Sequence, residues 1–113
     1  MKVVLKNSEA IATGYPDLTP KKHYYVFCVE CGDFRILNDE DRPFLYPSEI
    51  FEIVDSAEPT DWETSYCEGM RYSGSKELLK PGFFEDYFDG DPGAKKVFEK
   101  FMKNAGVRYK AAK

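Results

Sequence analysis

The order of apolar and polar residues divides the chain near its midpoint. Val3-Val4-Leu5 is short and β-branched, which predicts a strand. Residues 7–20 are broken by Gly14, Pro16 and Pro20 and read as a long loop, with room for a brief strand at Ala10-Ile11-Ala12. Tyr24-Tyr25-Val26-Phe27-Cys28-Val29 is an unbroken run of apolar, aromatic and β-branched residues, the pattern of a central strand buried on both faces. Gly32-Asp33 signals a turn, and Phe34-Arg35-Ile36-Leu37 is the returning strand. Asn38-Asp39-Glu40-Asp41 has no apolar residue and predicts a second turn, because Asn and Asp side chains bond readily to nearby backbone. Phe44-Leu45-Tyr46 and Ile50-Phe51-Glu52-Ile53-Val54 predict two more strands. Pro47-Ser48-Glu49 between them has room only for a turn or one helical turn.

Past residue 55 the pattern changes. Residues 56–81 scatter Pro59, Gly69, Gly74 and Pro81 among polar side chains, which predicts an ordered loop with one or two short pieces of structure. Phe83, Phe84, Tyr87 and Phe88 then fall on adjoining helical faces, so Gly82 to Phe88 predicts two helical turns that end at Gly90. Asp91-Pro92 supplies an N-cap and a first-turn proline for another helix. Ala94, Val97, Phe98, Phe101, Met102 and Ala105 keep a helical period, and Gly106 marks its stop.

Five short strands joined mostly by tight turns predict a mainly β (α+β) fold built on a small barrel. The expected layout is one domain over 1–113, with the barrel in 1–56 and a loop and helical extension in 57–113 packed on it. A long first loop, a strand, two hairpins and then Tyr46-Pro47-Ser48-Glu49-Ile50-Phe51 resemble an SH3-like five-stranded barrel, in which a Pro-Ser pair opens a short 3₁₀ turn before the last strand. Leu18-Thr19, Lys22 to Val26, Ile36 to Asp39 and Phe51 to Asp55 also resemble a group of small bacterial proteins of mostly unassigned function, some similar to toxin-immunity proteins. That resemblance extends through Pro59-Thr60-Asp61-Trp62 and Gly82 to Asp91, covering residues 18–103. The chain lacks the Ala-Leu-Tyr-Asp-Tyr type of segment and the barrel-strand tryptophan of peptide-binding SH3 domains, so proline-rich ligands are not implied.

Composition sets limits on this picture. A length of 113 residues suits one domain, and 42% apolar content with nine Phe, eight Tyr and one Trp can fill its core. No apolar run approaches the roughly 18 residues of a membrane helix. Met1 to Lys6 holds only three apolar residues in a row, too few for a signal-peptide core. With three cysteines, an odd number, the chain suits a reducing cytoplasm better than a disulfide framework.

The net charge of −4 hides a segregation. Residues 23–91 hold five basic and 17 acidic side chains, a balance of −12, while residues 92–113 carry +6. An acidic body predicts a basic protein partner, and Trp62, Glu85, Asp86, Asp89 and Asp91 are the residues placed to meet it. The runner-up is nucleic acid held by the basic helix and tail, through Lys95, Lys96, Lys100, Lys103, Arg108 and Lys110. The acidic body would repel the same polymer, which ranks this reading second.

Chemistry beyond binding finds little footing. Cys28-Val29-Glu30-Cys31 is half a zinc knuckle, and only Cys67 and His23 remain to complete a four-ligand site. In a regular strand, Cys28 and Cys31 would also face opposite sides. Glu85 to Asp91 fails the calcium-loop pattern, since Gly93 and Lys100 fall where ligands should be. One histidine, and no phosphate loop or nucleophile motif, predict a non-enzymatic protein without metal or cofactor.

Overall fold

A computed structural model describes residues 1–107. Its elements are β1 (Lys2–Leu5), α1 (Glu9–Gly14), β2 (Tyr24–Glu30), β3 (Asp33–Leu37), β4 (Pro43–Tyr46), a 3₁₀ turn over Ser48–Ile50, β5 (Phe51–Asp55), β6 (Trp62–Cys67), β7 (Met70–Ser75), α2 (Phe83–Phe88) and α3 (Pro92–Asn104). The fold is mostly β, a seven-stranded antiparallel sheet accompanied by a few helices. Its main path runs β4-β3-β2-β1-β5, and the β6–β7 hairpin joins β2 through β7. The sheet is open, since β4 and β5 end the path without pairing to each other.

β2 organises both sides of the sheet. β3 pairs along one edge, and the other edge is divided between β1 at Tyr24 and Tyr25 and β7 at Cys28 and Val29. The register with β3 shifts between Val26 and Cys28. A bulge of this kind breaks the alternation of side chains. Tyr24, Val26 and Val29 therefore enter one core, while the consecutive pair Phe27 and Cys28 enters a second. The unbroken apolar run is explained by this: the strand is buried on both faces.

The first core lies inside the curled sheet, where Val3, Leu5, Val26, Ile36 and Phe51 meet and Ile11 and Tyr15 lean in from α1 and its end. Phe34 on β3 and Tyr46 on β4 reach Phe51 on β5 at ring separations of 6.2 and 6.4 Å, so the two unpaired ends face each other across it. The second core lies between the sheet and the C-terminal helices. Phe98 of α3, fully buried, meets Phe27, Phe84 and Tyr87 at 5.1, 6.0 and 5.2 Å. Arg35 clamps the layers together: it pairs with Glu30, donates to the Pro43 carbonyl at 2.8 Å, and lies 4.0 Å over the Phe84 ring.

Polar side chains hold the long first loop. Buried Asn38 accepts from the Glu40 and Arg42 amides at 3.0 Å each and donates to the Tyr46 hydroxyl at 3.2 Å, while Tyr46 also bonds Asp17. Asp39 accepts from Thr19, Lys22 and Tyr24 at 2.6, 2.9 and 2.7 Å. The turn expected from Asn38 to Asp41 is thus a lock between that loop and the β3–β4 connection.

Two expectations are corrected. Ala10-Ile11-Ala12 is helical, because Ser8 caps α1 by accepting from the Ile11 amide at 3.4 Å and Glu9 occupies the first turn. The stretch 56–81 is mostly a hairpin, so the extension assigned to 57–113 contributes two strands to the sheet. Glu68 and Gly69, both at positive φ, close that hairpin in two residues. Gly74 lets it dock: a Cβ there would lie 2.7 Å from that of Cys28 on β2. The two helices fall where the aromatic spacing and the Asp91-Pro92 signal put them.

Candidate functional site

α2 carries the acids. Its short amphipathic turn buries Phe83, Phe84 and Tyr87 in the second core, which leaves Glu85, Asp86 and Asp89 exposed together with Phe88. Glu85, Phe88 and Asp89 are three and four residues apart and share a helical face. Phe88 packs at 5.4 Å against Phe44 of the edge strand β4, with the ring planes tilted by 38°, and the two remain 43% and 37% exposed. Leu45 beside Phe44 is exposed as well. An aromatic pair is thus held at the surface, by the sheet on one side and the buried face of α2 on the other, with carboxylates next to it.

The remaining expected contact residues take other places. Asp91 caps α3, its carboxylate accepting from the Ala94 amide at 2.9 Å. Asp86 and Asp91 line one groove with Phe83 and Val97, at the junction of α2 and α3. Trp62 begins β6, half-buried against the first core, and is separate from the α2 surface. The aromatics of 83–88 therefore divide, with Phe83, Phe84 and Tyr87 in the core and Phe88 outside.

Lys96, Lys100 and Lys103 are exposed along α3 with Glu99 among them, while Lys95 reaches back to within 5.9 Å of the Tyr87 ring centre. Arg108 and Lys110 lie outside the described residues.

The cysteines and the histidine are dispersed. Cys28 is buried against the second core, and burial pushes its thiol well above the ordinary range. Cys31 and Gly32, both at positive φ, form the two-residue turn between β2 and β3. His23 precedes the other end of β2, a strand about 20 Å long, too far for one ion to bind both His23 and Cys31. The Tyr72 hydroxyl titrates above its ordinary range, chiefly through the neighbouring Cys31, which is exposed, with Cys67 close as well. Among the described residues, no group of three or more His, Cys, Asp or Glu side chains is arranged to hold a metal. None of their helices is long and apolar enough to cross a membrane.

Sequence reasoning chose the acids of α2 but missed Phe44, which lies 44 residues earlier in the chain than Phe88 and meets it only through the tertiary fold. Alternation carries no signal for it, since Phe44 is in step with the buried Tyr46 and reads as inward-facing. No family model, no characterised protein and no solved structure matches the chain.

Proposed function

We propose that the protein is a non-enzymatic binding module whose Phe44–Phe88 surface, bordered by Glu85 and Asp89, docks a basic protein. The observation that carries this reading is the pair itself: two rings in contact, each more than a third exposed, beside carboxylates on one helical face. Interface centres favour aromatic anchors, and fixed charge around them selects partners of the opposite sign. The −12 balance of residues 23–91 extends that selection over the whole body. A toxin or nuclease built to bind phosphates is a partner of this chemistry, and an immunity-type inhibitor would occupy its basic groove with carboxylates.

The scaffold we propose for it is an SH3-like barrel left open between its end strands. Support comes from the strand order β5-β1-β2-β3-β4, from a β2 shared between two partner strands on one edge, and from the 3₁₀ turn before β5.

A random-peptide display selection on the immobilised protein tests the function. The enriched peptides are expected to combine Lys or Arg with apolar residues, and Phe88→Ala is expected to abolish their retention. Enrichment of acidic peptides would overturn the reading. So would salt-sensitive binding of nucleic acid that Lys96→Glu with Lys100→Glu removes, which would assign function to the basic face of α3.

A further inference from the structure

A second feature lies apart from the α2 surface. Tyr25, Trp62 and Phe101 line a cavity of about 200 Å³ together with Asp61, Ser75 and Asn104. Trp62 belongs to the wall of the first core, and Tyr25 and Phe101 to that of the second, so the cavity opens at the seam between them. Ser75 is 3% exposed, and its hydroxyl has no hydrogen-bond partner among the described residues. That hydroxyl exposes less than 1 Å², so it lies behind the wall, and the surface a ligand meets is the aromatic rings and Asp61.

The charge of the lining is one-sided. Asp61 contributes a carboxylate, and no Lys or Arg is among the described lining residues. Tyr25 titrates above its ordinary range, first because it is partly buried and then because the Asp61 charge is close. Aromatic faces attract cations through their quadrupoles, with Trp the strongest of them. An anion would meet Asp61 without compensation.

We infer that this cavity binds a small organic ammonium ion. The cationic group lies against Trp62 and Tyr25 within the field of Asp61. A dry cavity of about 150 Å³ accommodates benzene, so about 200 Å³ suits a ligand of roughly six to nine heavy atoms. Small N-methylated amines, choline among them, have this size and charge. The inference shares no residue with the Phe44–Phe88 surface, and neither depends on the other.

Trp62 is the sole tryptophan, so its emission reports on the cavity directly. The probes are choline, tetramethylammonium and 3,3-dimethyl-1-butanol, the uncharged isostere of choline, at matched ionic strength. Choline is expected to give a saturable change with a dissociation constant of about 1 mM or tighter, and the isostere to bind about tenfold more weakly. Tetramethylammonium is expected to bind as well, and Asp61→Asn, at an exposed position, to weaken both ions while leaving the isostere unchanged. Equal affinity for choline and its isostere would reduce the feature to an apolar cavity and overturn the inference. A lack of saturation at about 100 mM choline would do the same. Unchanged affinity of both ions for Asp61→Asn would overturn it as well.

Discussion

Gly74 and Asp39 show how single residues position larger pieces. Gly74 needs no unusual φ, but its missing side chain permits β7 to approach Cys28 on β2. Gly74→Ala forces a methyl group into that contact and is expected to destabilise by about 1–3 kcal/mol in urea unfolding. An unchanged midpoint would show that β7 does not need the close approach. Asp39 is governed by opposed effects: burial pushes its carboxyl up, but hydrogen bonds from Thr19, Lys22 and Tyr24 outweigh this and hold it below the ordinary 3.8. A carboxyl lowered in the folded state adds stability above its unfolded pKa, and that stability is lost as pH falls through the folded value. Between about pH 4 and pH 2, Asp39→Asn should therefore show a shallower loss of unfolding free energy than the unaltered protein, from a lower neutral-pH starting point. Parallel pH profiles would contradict the assigned role.

Among the elements, α3 is the most self-contained in its sequence signals and the most important to the second core. Its N-cap, first-turn proline and apolar period are all local, so its position was legible before any contact was known. Phe98 is its anchor, fully buried among Phe27, Phe84 and Tyr87. Phe98→Ala is expected to cost about 3–5 kcal/mol by thermal or denaturant unfolding, and a loss below about 1 kcal/mol would mean the helices pack only loosely on the sheet. The β6–β7 hairpin is the opposite case. Its residues are mostly polar and exposed, so hydrophobic periodicity gave no signal, although Trp62, Thr64 and Tyr66 alternate as strand formers do. Its turn, Glu68-Gly69, is a weaker hairpin cue than Asn-Gly or Asp-Gly. α1 was misread because its apolar content, Ala10-Ile11-Ala12, is too short to carry a period, and only Ser8 announced the helix. The candidate surface was half legible: the acids of α2 are contiguous in sequence, whereas the aromatic pair they border arises from a contact between distant segments.

For the whole molecule, the account rests on a division of labour between two cores and two surfaces. The sheet buries one apolar cluster within its curl and a second beneath the helices, and β2 supplies residues to both through its bulge. This leaves Phe44 and Phe88 outside both, in an acidic setting, which is the basis for assigning a basic protein partner. Association of opposite charges weakens as salt rises, while burial of an aromatic anchor does not depend on ionic strength to the same degree. The most direct measurement is calorimetric titration of a basic peptide selected by display, against the unaltered protein and Glu85→Lys with Asp89→Lys, at low and physiological salt. The account predicts about tenfold or greater loss of affinity in the charge-reversed protein, and binding by the unaltered protein that weakens as salt is raised. Equal affinity for both proteins, insensitive to salt, would contradict it.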